Sequence, residues 1–325
     1  MGLIAHHHQS STDLGKLSMV YKMKLAEISE IELDDAPFCP GVFAFTKLHG
    51  NGNDFILVDE MRQKFVPEAA KGQFAIRCCH RNFGIGGDGV LFMSGSGRAN
   101  LHMRLFQPDG SEAEMCGNGI RCLAKYAWET GYVGESFDVD TLAGIISIQV
   151  REMDNSFWAR IDMGVPKFER PCIPAIGHGY FLGEPLEGFE VSAVNTGVPH
   201  SVILVQDLDL PIEEVAPQIR HSSVFPEGAN VNFVRVKDNL EIRTFERGVE
   251  RETFSCGTGA VASAAIARKL DLVGDEVSVE TKGGPLIVSF EGSRAFLEGP
   301  AVTVYQGELS DEYRWNLSSE CYKGV

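Results

Sequence analysis

One short device occurs twice in the chain. Cys116-Gly117-Asn118-Gly119 and Cys256-Gly257-Thr258-Gly259 lie 140 residues apart, and each opens a helix-compatible run. The same offset takes Thr141 to Thr281 and Gly144 to Gly284, inside the strand-like runs DVDTLAGIISIQV and SVETKGGPLIVSF. With a one-residue slip, Arg104-Leu105-Phe106 falls on Arg243-Thr244-Phe245. Each half therefore reads strand, polar loop, Cys-Gly-x-Gly, helix, strand. That order predicts a duplicated domain with a sulfur at each helix N-terminus.

A helix N-terminus has unpaired N–H groups and the positive end of the backbone dipole, so it favours an anion. A thiol placed there is expected to ionise more easily than the ordinary value of about 8.5 allows. The glycines after each cysteine let a ligand approach the backbone closely. Two matched thiols point to a two-base site.

The length, 325 residues, fits two domains, and 44% hydrophobic residues suffice for two cores. A net charge of −16 and the lack of a basic run argue against a nucleic-acid surface. No apolar run approaches the roughly 20 residues that span a bilayer, so no membrane partner is expected. The eight cysteines lack a secretory signal or a cysteine-dense framework, and Cys78-Cys79 is an adjacent pair. A reducing cytoplasm is the expected location. The Cys116 to Cys122 spacing is too long for a zinc knuckle, so no metal is expected, and Cys39, Cys172 and Cys321 read as structural or incidental.

Residues 1–42 differ in character from the rest. They hold His6-His7-His8 and an acidic run from Glu27 to Asp35, and read as an extension outside the core. From Phe43 onward, strands alternate with polar glycine loops around two clear helices, CGNGIRCLAKYAWETG and CGTGAVASAAIARKL. The second carries Ala260, Ala262, Ala264, Ala265 and Ala267, which predicts a helix buried inside a sheet. Alternation in VNFVRV and EIRTFE, with short turns, favours antiparallel or mixed pairing. The expected fold is α+β: two pseudo-symmetric domains, each a curved mixed or antiparallel sheet wrapped around a central helix. The first spans 43–163 and is completed by a C-terminal strand in 302–325; the second spans 164–301.

Inverting a carbon stereocentre without metal or bound cofactor needs a base on one face and an acid on the other. Two cysteines across a cleft supply both, one as thiolate and one as thiol. Helix N-termini aimed at the substrate would stabilise its carboxylate as a carbanion develops beside it. The plainer reading of either cysteine is core packing, since free cysteine is among the most buried residue types.

With these residues in view, the chain resembles the diaminopimelate epimerase family. The resemblance rests on HGNGNDF at 49–55, FGIGGDGVL at 83–91, DGSEAEMCGNGIRC at 109–122, GVPH at 197–200, GANVNF at 228–233 and ERGVERETFSCGTGA at 246–260. Together they cover nearly all of 43–309 in the family's order. It implies interconversion of LL- and meso-2,6-diaminopimelate without pyridoxal phosphate, other cofactor or metal, in lysine biosynthesis. Its catalytic cysteines fall on Cys116 and Cys256, assisted by His200 and Glu246 respectively. The implied substrate-binding residues are Asn53, Gln107, Asn230, Glu246 and Arg247, with anion nests at Gly117-Asn118 and Gly257-Thr258. The partner is a small diamino dicarboxylic acid, and a homodimer is the candidate assembly.

A planar guanidinium grips a carboxylate with two parallel bonds, so Arg247 suits the distal end of a two-ended substrate. The plain alternative is a surface ion pair of Arg247 with Glu246, worth about 0 to 1 kcal/mol. His200 could fill a loop, and Asn53 and Asn230 suit turns on local grounds. Gln107-Pro108, Val198 and Gly89 depart from the family's common pattern, and the segment after Gly248 is one residue longer than the shorter family form. The alternatives are an epimerase of a smaller amino acid such as proline or hydroxyproline on the same fold, and a redox-sensing or binding protein with a switchable thiol pair.

Overall fold

The computed structural model describes residues 43–313. The N-terminal extension with its three histidines and Cys39, the end of the predicted C-terminal strand beyond 313, and Cys321 lie outside the described residues.

The first repeat runs β1 (Ala44–Gly50), β2 (Asn53–Asp59), α1 (Lys71–Cys79), β3 (Gly89–Ser94), β4 (Leu101–Phe106), β5 (Glu112–Ala113), α2 (Gly117–Glu129), β6 (Ser136–Thr141), β7 (Gly144–Met153) and β8 (Ser156–Gly164). After β9 (Glu184–Leu186) the order recurs as β10 (Phe189–Asn195), β11 (Pro199–Leu204), α3 (Ile212–Arg220), β12 (Asn230–Val236), β13 (Leu240–Glu246), β14 (Arg251–Thr253), α4 (Gly257–Lys269), β15 (Glu276–Thr281), β16 (Gly284–Glu291) and β17 (Arg294–Pro300). The pairing repeats too. β2 and β3 are parallel, as are β11 and β12, while β4·β6 and β13·β15 form the second parallel pair of each half. Antiparallel pairing of β8 with β17 joins the halves, and β18 (Val302–Glu308) returns to pair with β1.

Duplication reaches individual turns. Thr141 donates its hydroxyl to the Gly144 carbonyl at 2.8 Å, and Thr281 does the same to Gly284 at 2.7 Å. Both glycines sit at positive φ, +114° and +115°, which disfavours any other residue.

Each half of the continuous sheet is covered on both faces. Phe55, Leu57, Leu91, Met93 and Leu105 face α2, whereas the alternate residues Ile56, Val58, Val90, Phe92 and Phe106 pack with Phe74, Ala75 and Cys78 of α1. Strands buried on both sides need continuous apolar runs, which explains Phe55-Ile56-Leu57-Val58 and Val90-Leu91-Phe92-Met93. The second half repeats this with α4 inside and α3 outside. The outer helices were not anticipated: α1 and α3 have nine residues each, and α3 contains Pro217, so neither gives a long clean period.

Helix α4 is buried from Gly257 through Ala267 except at Thr258, as its alanine content predicted. Small side chains let the sheet close around it, and Val261 and Ile266, fully buried, each contribute about 1.5–3 kcal/mol. An Ala264→Leu change would overpack this seam by about 1–3 kcal/mol.

Candidate active site

Cys116 and Cys256 are the N-cap residues of α2 and α4, both in extended backbone conformation. The two helix N-termini abut. A Cβ on Gly257 would lie 3.8 Å from the Gly117 Cα and 2.8 Å from Leu297 Cδ2, so only small residues let the thiol-bearing turns meet. The third glycine of each motif serves a different contact. A Cβ on Gly259 would lie 2.4 Å from Asn232 Oδ1, and one on Gly119 would lie 3.3 Å from Leu91 Cδ2.

Cys116 Sγ donates to Asn53 Oδ1 at 3.6 Å. The Asn53 amide is oriented from behind, because its Nδ2 donates to Asp88 at 2.8 Å. Asp88 and Asp54 are braced by Arg81, and Lys47 pairs with Asp54 at 2.6 Å. Burial would raise the Asp54 pKa, but the bonds from Arg81 and Lys47 outweigh it and hold the carboxyl at about 2. Asn53 itself follows Asn51-Gly52, both at positive φ, a two-residue turn of the kind Asn-Gly favours in hairpins.

Cys256 Sγ accepts from the Gly259 N–H at 3.4 Å and lies 3.4 Å from Thr258 Oγ1. Burial raises its pKa well above the usual thiol range, and the charge of the Glu246 carboxylate adds to the rise. Burial also raises Cys116, against the N–H groups of Gly119 and Asn118. Helix N-termini were expected to make both thiols more acidic. They act in that direction, but desolvation is the larger effect before substrate enters.

Glu246 accepts from the Thr253 hydroxyl, and burial raises its carboxyl above the ordinary range. Arg247 does not pair with it. The Arg247 guanidinium reaches only the carbonyls of Glu227 and Gly228, at 3.2 and 3.4 Å, with no carboxylate partner among the described residues. Its backbone N–H donates to Asn230 Oδ1 at 2.8 Å, and Asn230 Nδ2 donates to the Pro199 carbonyl at 3.0 Å. Gln107 is exposed in the turn before Ser111, where its carbonyl accepts from Gly110.

His200 is fully buried on β11, and its bond runs to Asn232 rather than to a thiol. Asn232 Nδ2 also donates to the Ser201 carbonyl at 2.8 Å, and its Oδ1 accepts from Thr244 at 3.0 Å. A carbonyl can only accept, so this end of the amide is the nitrogen, and His200 Nδ1 must be the acceptor. The neutral ring then carries its proton on Nε2, which is buried without a partner among the described residues. Burial, with the Arg247 charge, lowers the His200 pKa to about 3. The imidazole is therefore neutral at ordinary pH.

Asn232, Thr244 and Asp88 were not singled out from the sequence. A signal was present for the first two. Gly119 neighbours Leu91 as Gly259 neighbours Asn232, and the strand partners Leu105 and Thr244 correspond in turn, so polar residues stand where the other half is apolar. Among the described residues no group of three or more His, Cys, Asp and Glu side chains could hold a metal, and no helix is long and apolar enough to cross a membrane.

Two halves of similar sequence and topology, each with a cysteine at the N-terminus of its inner helix, make up the fold. A Bacillus anthracis protein of the phenazine biosynthesis PhzF family superposes with a TM-score of 0.63 at 20% identity, over 83% of this chain and 99% of that one. A hydroxyproline epimerase from Agrobacterium vitis superposes with a TM-score of 0.58 at 15% identity, over 85% and 92%. These likenesses show the fold. The sequence goes further: the family model for diaminopimelate epimerase matches residues 45–169 and 192–308. The diaminopimelate epimerase of Methanothrix thermoacetophila is 69% identical over 82% of this chain and 96% of its own, and that of Archaeoglobus fulgidus is 49% identical over 84% and 99%. The chain belongs to the diaminopimelate epimerase family and is an isomerase.

Proposed function

We propose that this chain interconverts LL- and meso-2,6-diaminopimelate in lysine biosynthesis by proton transfer between Cys116 and Cys256. One sulfur, as thiolate, takes the α-proton; the other, as thiol, returns a proton to the opposite face, and the roles exchange in the reverse direction. The observation that supports this reading is the close approach of the two helix N-termini at Gly117 and Gly257, each helix being capped by one of the cysteines. The N–H groups of Gly117-Asn118 and Gly257-Thr258 would hold the α-carboxylate as negative charge develops beside it. Thr196 supports the second nest by donating to the Thr258 carbonyl at 2.9 Å.

Glu246, beside Cys256, assists that thiol, and the neutral His200 offers an N–H donor. Arg247, whose guanidinium has no carboxylate partner among the described residues, favours a substrate with a second carboxylate over a proline-type one. Asn53, Asn230 and Gln107 complete the recognition of the distal end. Such a site would leave polar groups unpaired around a substrate lacking that end.

The domain division is assigned at 163/164, with β18 returned to the first domain; pairing of β18 with β1 supports it. The six described cysteines are all free, in keeping with a reducing cytoplasm. A homodimer would cover the exposed Val302, Val304 and Tyr305 of β18, and light scattering during gel filtration tests it.

The deciding experiment is incubation of reduced protein with LL-diaminopimelate in deuterium oxide, without added pyridoxal phosphate or metal. Meso product carrying deuterium at one α-carbon is expected. No conversion and no α-exchange, with the thiols titrating as free, would sink the reading.

A further inference from the structure

Arg121 is fully buried, and the structure gives it no anionic side-chain partner among the described carboxylates. It lies on α2, five residues after Cys116. Its guanidinium donates to four neutral oxygens: the carbonyls of Gly117 and Pro300, both at 3.2 Å, and the side-chain oxygens of Asn51 at 2.8 Å and Asn118 at 2.9 Å. The surroundings are shaped to admit it. A Cβ on Gly50 would lie 3.0 Å from Nη2, and one on Gly299 would lie 3.1 Å from Nε. At the matched position of α4 stands Val261, equally buried and apolar. The first half thus places a cation where its twin has none.

A buried unpaired charge is expensive, so such a group persists where a countercharge arrives. Through Asn118 the cation also reaches the other half, since Asn118 Nδ2 donates to Asn53 Oδ1 at 3.2 Å and to the Ser255 carbonyl, next to Cys256, at 3.1 Å. The imidazole of His200 is neutral and supplies no charge. We propose that Arg121 is the countercharge of the site and makes Cys116, not Cys256, the thiolate before substrate binds.

The two thiols face different charges. On Cys116 the main ones are Glu246 from β13, which disfavours thiolate, and Arg121 from its own helix, which favours it. On Cys256 they are Glu246 and the Cys116 sulfur, both disfavouring it. The Cys116 thiol donates to the neutral oxygen of Asn53, which holds a proton donor less strongly than a carboxylate would. Burial pulls Arg121 itself down to about 10, so it stays charged at neutral pH. When Cys116 ionises, its proton leaves to solvent and the pair Arg121 cation and Cys116 thiolate remains, with the proton on Cys256 retained. Arg121 acts through Cys116 and is a positioning residue.

This inference rests on the two-thiol reading of the site, and its test is separate from turnover. Carbamidomethylation by iodoacetamide, mapped to each cysteine by mass spectrometry across pH, reports ionisation of each sulfur without substrate. In the unaltered protein Cys116 should show the lower pH midpoint; a lower midpoint at Cys256 would overturn the proposal whatever any variant does. Arg121→Lys keeps the charge and should keep the Cys116 midpoint close to that value. Arg121→Gln, with its fold checked by circular dichroism, should raise the Cys116 midpoint by about one pH unit or more, a tenfold slower reaction at fixed pH, without raising that of Cys256. An unchanged Cys116 midpoint in folded Arg121→Gln would reject the countercharge role. If that variant does not fold, the wild-type order and the Arg121→Lys midpoint decide. Failure of the two-thiol reading would appear instead as turnover in Cys116→Ala, a result that leaves the alkylation measurement intact.

Discussion

Behind the helix that carries Cys116 lie Phe55, Leu91 and Leu105; behind the one that carries Cys256, the matched layer holds His200, Asn232 and Thr244. Leu91 pairs with Leu105 across β3 and β4, as Asn232 pairs with Thr244 across β12 and β13. The charges are distributed in the opposite sense, since Arg121 belongs to the first half and Glu246 to the second. Backbone duplication therefore gives two similar thiol sites, while the side chains behind them make the sites chemically unequal. A symmetric pair would have no reason to ionise in a set order. An asymmetric one does, because each sulfur meets a different field.

The largest expected effect removes the feature the halves share. Cys116→Ala and Cys256→Ala should each lower epimerisation by about 10³-fold or more, with little change in circular dichroism. Near wild-type turnover by either would mean that the two halves do not act as one acid-base pair.

Arg247→Ala tests a feature of the second half alone. Loss of the charge-assisted grip on a distal carboxylate should reduce kcat/KM for diaminopimelate by about 10²-fold. Unchanged kinetics would place Arg247 outside the site and leave the Glu227 and Gly228 carbonyls as its whole purpose.

The polar layer can be probed by pH. His200 has a folded pKa of about 3 against an ordinary value of 6.5. Between those values the unfolded chain binds more protons than the folded one, so this residue lowers stability as pH falls. The loss begins near pH 6.5 and is on the order of 2 kcal/mol by pH 4.5. Denaturant unfolding at the two pH values should show a smaller acid loss in His200→Asn. Equal losses would mean that the imidazole is charged or solvated in the folded protein.

The smallest effect concerns Val198, which stands just before β11 as Asn53 opens β2. Val198→Asn restores an amide to the second half. It should leave stability within about 0.5 kcal/mol and change kcat/KM by less than about tenfold. A larger gain would show that the asymmetry at this position limits the reaction.

Much of this was legible in the chain. The repeated Cys-Gly-x-Gly, with Thr and Gly in register beyond it, specified two domains and two N-terminal thiols, because helix starts and tight turns are local and need particular residues. The alanine run specified a buried α4 for the same kind of reason, since such a face has little to offer water. The short outer helices were not legible, because nine residues with a proline give too little period to distinguish helix from loop.

By itself, then, the sequence determined the duplication, the helix-capping cysteines and the family. Tertiary structure alone decided the rest: that burial outweighs the helix ends on both thiols, that Asn232 and the Ser201 carbonyl fix the proton of His200 on Nε2, and that Arg121 is enclosed without a carboxylate partner among the described residues. Those outcomes depend on desolvation and on partners 30 to nearly 180 residues away, such as Asn232 for His200 and Pro300 for Arg121. No local pattern encodes such contacts, because the energy of a charge depends on what the fold packs around it.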